Sequence, residues 1–348
     1  MWRITLYFFI LFTIDSTLVN GESKVPCFFI FGDSLSDVGN NNILNTTDKS
    51  NYLPYGVDFP GQIPTGRFTN GRTIEDFISQ LLGFQRYINP YSTQMDKDIL
   101  RGVNFASGAA GILPKTGSRW GDRVGMDQQL KNFNTTISKL KSMVGGPVTN
   151  YLNKCLYTIN IGSNDYIDKY FMTKNYPTGN QFATNQYARQ LIARYKLQLQ
   201  ALYDSGARKI TVFGLPQIGC TPAAFIRFNS TKCVNEVNQA VEAFNTMLVS
   251  LVDSFNAKLH MANFTFINLY SMQASTSPPS GSDTKHACCK LRSDFLCEPL
   301  STPCQNRKSY EFMDGFHPTE IVNEIVSNII FNPPNSFVHP MSISQLIN

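Results

Sequence analysis

Ser34 is the residue whose surroundings best suit nucleophilic chemistry. It lies in the stretch FFIFGDSLSDVGNNN, three residues after an apolar run that ends at Phe31. An apolar run followed at once by a turn rich in Gly and Asn places Ser34 just past the carboxyl end of a predicted buried strand. A serine hydroxyl is a weak nucleophile until a base removes its proton. The sequence must therefore also supply a base.

Of the four histidines, His317 is best placed to serve as that base. It lies in DGFHPTE, with Asp314 three residues earlier. A carboxylate on such a turn can accept the Nδ1 proton and leave Nε2 free to take the serine proton. The alternative is structural, with Asp314 shaping a turn and His317 capping a helix. Of the other three, His260 is predicted at a helix end, His286 in a cysteine-rich loop and His339 in a loose tail.

Two further stretches could bind the oxyanion that forms when a nucleophile attacks a carbonyl group. The glycines of NFASGAAG, residues 104–111, leave backbone N–H groups accessible, and NIGSNDY, residues 160–166, offers the side-chain amide of Asn164. Each stretch alone is weak evidence, because Gly and Asn are common in loops. Both follow predicted strands, and that shared place is the stronger signal.

Strand-like and helix-like stretches alternate along the chain. Apolar residues recur every three to four positions over 126–140, 187–202, 237–255 and 321–329, which predicts helices. Strands are predicted at 25–31, 102–106, 155–161, 209–213 and 264–269. Such alternation predicts a parallel sheet covered by helices on both faces. Ligands of such sheets bind beyond the carboxyl ends of the strands, where Ser34 is expected.

The first residues have the pattern of a secretory signal peptide. Met1-Trp2-Arg3 gives a positive start, residues 4–14 are almost all apolar, and small residues permit cleavage after Gly21. The apolar run is shorter than the ~20 residues that span a bilayer, which favours cleavage over a membrane anchor. No other stretch is long and apolar enough. We expect a signal peptide at 1–21 and a single domain at 22–348.

Four sequons and eight cysteines agree with export. The sequons offer Asn45, Asn134, Asn229 and Asn263 as acceptors of N-linked glycans. An even number of cysteines predicts disulfides in an oxidising compartment, and the cluster at 288–304 lacks the paired C-x-x-C spacing of zinc sites.

The cysteine spacings predict part of the pairing. Cys220 is expected to pair with Cys233, and the four cysteines at 288–304 are expected to pair among themselves in a connectivity left open. Cys27 and Cys155 are either buried thiols or a bridge between strands, and thiols are favoured.

Several function classes are disfavoured by what the sequence lacks. The net charge is +5 with Lys and Arg scattered, so no basic patch predicts nucleic-acid binding. No G-x-S-x-G elbow, G-x-G-x-x-G motif or P-loop occurs. Neither a metal ion nor an organic cofactor is expected.

The order of several motifs resembles the plant GDSL esterase/lipase family of the SGNH hydrolase superfamily. The motifs are FFIFGDSLSDVGNNN, LPYGVDFP, RGVNFASGAAGI, INIGSNDY, VFGLPQIGCTP and FMDGFHPTE. The resemblance covers nearly all of the mature chain and implies a three-layer α/β/α sandwich with a central five-stranded parallel sheet. It implies a catalytic Ser34, Asp314 and His317. It also implies an oxyanion hole formed by the N–H groups of Ser34 and Gly108 and by the side chain of Asn164.

The expected protein is a secreted serine esterase or lipase that cleaves small-molecule or lipid esters through an acyl-enzyme. In this plant family, secretion would place it in the apoplast or cell wall. Two alternatives remain: an acyltransferase that uses the same triad, and a catalytically silent binding protein of the cell wall or of defence. The sequence gives no oligomeric state. Met313 stands where the family usually has Trp before the Asp, which suggests a changed pocket wall.

Overall fold

The computed structural model describes residues 23–171, 184–275, 282–332 and 336–348. The expected signal peptide at 1–21 therefore lies outside the described residues. Seven strands lie within these ranges: β1 (Phe28–Gly32), β2 (Leu156–Asn160), β3 (Lys209–Phe213), β4 (Asn263–Ile267), β5 (Asp283–Ala287), β6 (Tyr310–Phe312) and β7 (Val338–His339).

The central sheet has five strands in the order β1-β2-β3-β4-β7. The first four are mutually parallel, as predicted, and Phe28 of β1 is opposite Leu156 of β2. The fifth strand is antiparallel and comes from the tail, where His339 pairs with Phe266. The tail was expected to be loose, which is wrong. A strand of two residues is too short to leave an alternating pattern in the sequence.

The described ranges hold ten α-helices. They are α1 (Ile74–Leu81), α2 (Met126–Leu140), α3 (Val148–Leu152), α4 (Ser163–Phe171), α5 (Thr184–Asp204), α6 (Pro222–Arg227), α7 (Asn235–Lys258), α8 (Leu269–Ser275), α9 (Glu320–Phe331) and α10 (Ile343–Ile347). The four helices predicted from apolar periodicity are confirmed as α2, α5, α7 and α9.

Helices cover the sheet on both faces, as predicted. Phe29 and Phe31 of β1 belong to one core, which also contains the apolar faces of α2, α5 and α7. Phe28 and Ile30 belong to the other core, together with residues of α1, α9 and α10. Successive residues of β1 enter opposite cores because side chains along a strand point alternately to its two faces. The result is a three-layer α/β/α sandwich.

The segment 102–106, predicted as a strand, forms only isolated bridges, with Ile30 and Pro90. It lies beside β1, since Phe105 N donates to Ile30 O at 2.7 Å. The Asn104 carbonyl accepts from the Tyr91 N–H at 2.8 Å, but at Ala106 a side chain replaces the neighbouring backbone, because Asn40 Nδ2 donates to the Ala106 carbonyl at 2.7 Å. The prediction of a regular strand is therefore wrong, although its position beside the sheet was sound.

Four disulfides link the eight cysteines. Cys220–Cys233 confirms the predicted pair. The open connectivity of the cluster is Cys288–Cys304 and Cys289–Cys297.

Cys27 is bonded to Cys155, so the preference for free thiols is wrong. These two residues directly precede the paired positions Phe28 and Leu156 of β1 and β2. Their Cα atoms are 4.7 Å apart, which is within reach of a disulfide.

Within the described ranges, none of the helices combines the length and apolar character that a membrane crossing requires.

Replacing both Cys27 and Cys155 with Ala should destabilise the protein more than removing the Cys220–Cys233 pair in the same way. The two bridges close segments of 128 and 13 residues. In the chain-entropy model, these lengths correspond to roughly 5 and 3 kcal/mol of unfolding free energy. Denaturant unfolding of the two double variants measures the difference. Equal losses, or a larger loss for the Cys220–Cys233 variant, would contradict the expectation.

Candidate active site

Ser34 lies in the tight turn that follows β1. Asp33 N donates to Asn160 O at 3.0 Å, which fastens the start of the turn to β2. The N–H groups of Ser36 and Asp37 then close the turn on the carbonyl of Asp33. Gly32 permits this close approach, because a Cβ there would come within 2.5 Å of Asn160 O. The serine is therefore held at the carboxyl edge of the sheet, as the sequence predicted.

The structure brings Ser34, His317 and Asp314 into one hydrogen-bonded chain. His317 Nε2 lies 2.7 Å from Ser34 Oγ, and His317 Nδ1 lies 2.7 Å from Asp314 Oδ2. The turn from Asp314 to His317 is closed by its own hydrogen bonds, since the N–H groups of Phe316 and His317 both donate to Asp314 Oδ1. Asp314 has no exposed surface and His317 is almost fully buried. This is the geometry that a nucleophile, a base and an orienting acid require.

The electrostatics favour a charged imidazole next to Asp314. Burial lowers the pKa of His317, but the negative charge and hydrogen bonding of Asp314, with smaller contributions from the charges of Asp48 and Asp33, raise the pKa above its ordinary value. Two other carboxyls, Asp33 and Asp48, also face the site, and burial raises the pKa of each to about 7. Both are therefore largely protonated in mildly acidic solution, and Asp314 is the carboxyl that contacts the imidazole.

The three expected oxyanion donors differ in whether their N–H groups already donate hydrogen bonds within the protein. Within the described residues, the Ser34 N–H donates to no acceptor. Asn164, in the first turn of α4, donates through Nδ2 to Ala110 O at 2.9 Å, which occupies one of the two amide protons. The Gly108 N–H already donates to Asp37 Oδ2 at 3.0 Å.

A largely apolar pocket opens beside Ser34 and His317. Its lining includes Asn164, together with Leu35, Trp120, Ile167, Ile218, Leu296 and Phe316. Met313 does not contribute to this lining. It is fully buried in a small core with Tyr55 and the cysteines 288, 289 and 297, so the expectation of a changed pocket wall at Met313 is not met.

Two buried contacts were missed by the sequence analysis. Tyr55 Oη donates to Asp314 Oδ2 at 2.5 Å across 259 residues of sequence. Ser36, for which no partner was predicted, donates to Glu75 Oε1 at 2.5 Å. Tyr55 lies in a turn-rich stretch without a periodic pattern, and Glu75 lies in the first turn of α1. The only signal for Tyr55 was its place in the motif LPYGVDFP.

The four sequon asparagines, Asn45, Asn134, Asn229 and Asn263, are all exposed. Each is therefore accessible to a glycosylating enzyme.

The comparisons with known proteins agree with the motifs. The family model described as GDSL-like Lipase/Acylhydrolase matches residues 28–330. Two proteins of Arabidopsis thaliana named GDSL esterase/lipase are 43% and 44% identical to this chain, each over 94% of it and 93% of their own length. A third is 41% identical over 99% of this chain and 97% of its own length.

Two bacterial crystal structures were also found. A phospholipase A1 from Streptomyces albidoflavus is 12% identical with a TM-score of 0.34, and the match covers 88% of this chain and 97% of the other. An extracellular lipase from Streptomyces rimosus is 14% identical with a TM-score of 0.35, covering 87% and 98%. These TM-scores are too low to support an inference, so the assignment depends on the sequence relatives and the family model. On that basis, this chain belongs to the GDSL-like lipase/acylhydrolase family and is a carboxylic ester hydrolase.

Proposed function

We propose that Ser34 is the nucleophile of this hydrolase and that His317 is its general base. Asp314 orients the imidazole and stabilises its protonated form. The observation that carries the proposal is the unbroken chain from Ser34 Oγ to His317 Nε2 at 2.7 Å and from His317 Nδ1 to Asp314 Oδ2 at 2.7 Å. Both contacts lie within hydrogen-bond reach, as proton transfer requires.

The reaction follows from these positions. Ser34 Oγ attacks the ester carbonyl while His317 Nε2 takes its proton, which gives a tetrahedral oxyanion and an imidazolium. The imidazolium then gives the proton to the leaving alcohol, and the acyl group stays on Ser34. Water attacks the acyl-enzyme with His317 again acting as base, and the acid is released with Ser34 restored. The raised pKa of His317 suits the imidazolium stage of both half-reactions.

The oxyanion is proposed to be bound by the N–H groups of Ser34 and Gly108 and by the side chain of Asn164. The free Ser34 N–H and the second amide proton of Asn164 support the first and third of these roles. For Gly108, the N–H must turn from Asp37 to the oxyanion. Burial raises the pKa of Asp37 to about 6, so protonation of this carboxyl below about pH 6 weakens it as a competing acceptor.

The substrate is proposed to be a small-molecule or lipid ester with an apolar acyl group. The pocket beside Ser34 is lined by apolar side chains that include Leu35, Ile167 and Phe316. Such walls bind hydrocarbon by removing it from water. No metal ion or organic cofactor enters these steps.

Extracellular action is also part of the proposal. The signal-like residues 1–21, the exposed sequon asparagines and four disulfides support secretion into the apoplast or cell wall. The complete nucleophile, base and acid arrangement supports catalysis over the silent binding alternative.

Ser34 should be the only serine labelled by an organophosphonate ester probe. Mass spectrometry of the labelled peptide identifies the site. The label should be absent in Ser34→Ala, and it should form much more slowly in His317→Ala and in Asp314→Asn, because the serine then loses its base or the partner that fixes the tautomer of that base.

Ser36 is the internal control for this experiment. It lies two residues away and is fully buried, but its hydroxyl donates to Glu75 and has no contact with the imidazole. Ser36→Ala should therefore be labelled like the wild type. Stoichiometric labelling of Ser36, or a folded and active wild type that takes no label, would refute the assignment of Ser34.

Asn164→Ala should lower kcat by ~10²–10³, because the variant loses one donor to the transition-state oxyanion. The side chain is partly buried, and its one described hydrogen bond is to Ala110 O. The thermal midpoint should therefore stay close to that of the wild type. Ester hydrolysis and thermal unfolding are measured on the same preparation. An unfolded or a fully active variant would remove Asn164 from the oxyanion hole.

A further inference from the structure

We propose that Tyr55 is a positioning residue for the reaction, which fixes the carboxylate of Asp314 and through it the orientation of His317. The inference rests on the proposed function of Ser34, His317 and Asp314. Tyr55 is fully buried, and it does not belong to the lining of the pocket beside Ser34.

The hydroxyl of Tyr55 has only one direction in which to donate. The backbone N–H of Cys297 donates to Tyr55 Oη at 3.0 Å, and the Oη lies 2.5 Å from Asp314 Oδ2. Since Cys297 N is a donor, the single phenolic proton points to the carboxylate. Burial and the charge of Asp314 raise the pKa of Tyr55 well above its ordinary value, so that proton is retained.

The donated proton completes the hydrogen bonding of Asp314. Oδ1 accepts from the N–H groups of Phe316 and His317. Oδ2 is shared by His317 Nδ1 at 2.7 Å and Tyr55 Oη. Without Tyr55, the imidazole is the only described partner of Oδ2. A buried carboxylate that loses a donor becomes more costly and its orientation becomes less fixed.

Tyr55 is itself held firmly in place. Its ring makes edge contacts with Tyr52 and Phe68, at centroid distances of 5.4 and 6.2 Å. The ring of Phe68 in turn lies 4.9 Å from that of His317. Cys297, which donates to Tyr55, is bonded to Cys289. The phenol is therefore fixed on one side by aromatic packing and on the other by a crosslinked segment.

Tyr55→Phe and Tyr52→Phe form a matched pair. Tyr52 Oη donates to the carbonyl of the same residue, Cys297, at 2.9 Å, and it does not reach Asp314. Each variant loses one hydroxyl and one hydrogen bond to the same segment. Only Tyr55→Phe loses a hydrogen bond to the carboxylate.

We expect Tyr55→Phe to lower kcat and kcat/KM together by roughly 10–100-fold, since hydrogen bonds to charged groups are the strong ones. KM should change by less than about twofold, because Tyr55 does not contact the pocket. Tyr52→Phe should keep wild-type kinetics. Equal effects in the two variants, or a loss expressed only in KM, would overturn the inference.

The pH profile separates positioning from general loss of structure. The Tyr55 proton partly offsets the charge of Asp314, so removing it strengthens the pull of the carboxylate on the imidazolium and raises the pKa of His317. The acid limb of kcat/KM should therefore move to higher pH in Tyr55→Phe. The other charged or titratable groups near the pair are the same in both variants: Asp33 and Asp48 facing His317, Arg292 near the two tyrosines, and Asp294 near Tyr52. An unmoved limb would contradict the role.

A double-variant cycle with Asp314→Asn tests whether Tyr55 acts through the carboxylate. In the Asp314→Asn background, adding Tyr55→Phe should cost less than about twofold. The same factor in both backgrounds would show that Tyr55 acts elsewhere and would overturn the inference.

A proton NMR measurement keeps this test distinct from that of the proposed function. The Nδ1–H of His317 should give a far-downfield resonance that moves in Tyr55→Phe and not in Tyr52→Phe. An active wild type with neither this movement nor a kinetic effect would refute the role of Tyr55 alone. If the wild type does not hydrolyse esters, the proposed function fails, and the shift of the resonance still decides whether Tyr55 controls the Asp314–His317 pair.

Discussion

The carboxylate of Asp314 has no exposed surface, and the rest of the site depends on how its charge is satisfied. A buried charge is costly unless it is paired and hydrogen-bonded. Asp314 meets this condition with two backbone N–H groups of its own turn, the imidazole of His317 and the phenol of Tyr55. The same contacts that stabilise the charge also fix the imidazole towards Ser34. The same contacts therefore determine both the stability of the buried carboxylate and the alignment of the proposed base.

The sheet brings residues that are distant in sequence together at one of its edges. Ser34 follows β1 and Asn164 follows β2, and these strands are neighbours with Gly32 opposite Asn160. His317 is 283 residues from Ser34 in sequence and reaches it from the segment before α9. At the other end of the same strands, Cys27 and Cys155 join the pair covalently. Parallel pairing therefore fixes the position of Ser34, the proposed nucleophile, relative to Asn164, the proposed oxyanion donor.

The sequence predicted the parts of the molecule that have periodic or local signatures. The helices α2, α5, α7 and α9 follow from apolar repeats, and the contact between Asp314 and His317 follows from a spacing of three residues on a turn. The contacts of Tyr55 and Glu75 could not be found in this way, because their partners are 259 and 39 residues away in sequence and neither polar group belongs to an apolar repeat.

Two other sequence-based predictions were wrong because they depend on contacts between segments that are far apart in sequence. The Cys27–Cys155 bond depends on the register of two strands that are 128 residues apart. The segment 102–106 has strand-like composition, but its backbone pairing with residues 89–91 ends at Asn104, and the Ala106 carbonyl accepts from the side chain of Asn40. Polar side chains that bind backbone groups of a distant segment leave no trace in composition or spacing.

On the proposed mechanism, every ester of a given acid passes through the same acyl group on Ser34. Partitioning of that acyl group between water and added methanol distinguishes this route from direct hydrolysis. Phenyl, p-nitrophenyl and alkyl esters of one acid are hydrolysed in the same methanol concentration, and the ratio of methyl ester to free acid is measured. A shared acyl-enzyme predicts one ratio for all leaving groups, because the alcohol has departed before water and methanol compete. A ratio that changes with the leaving group would contradict the covalent intermediate.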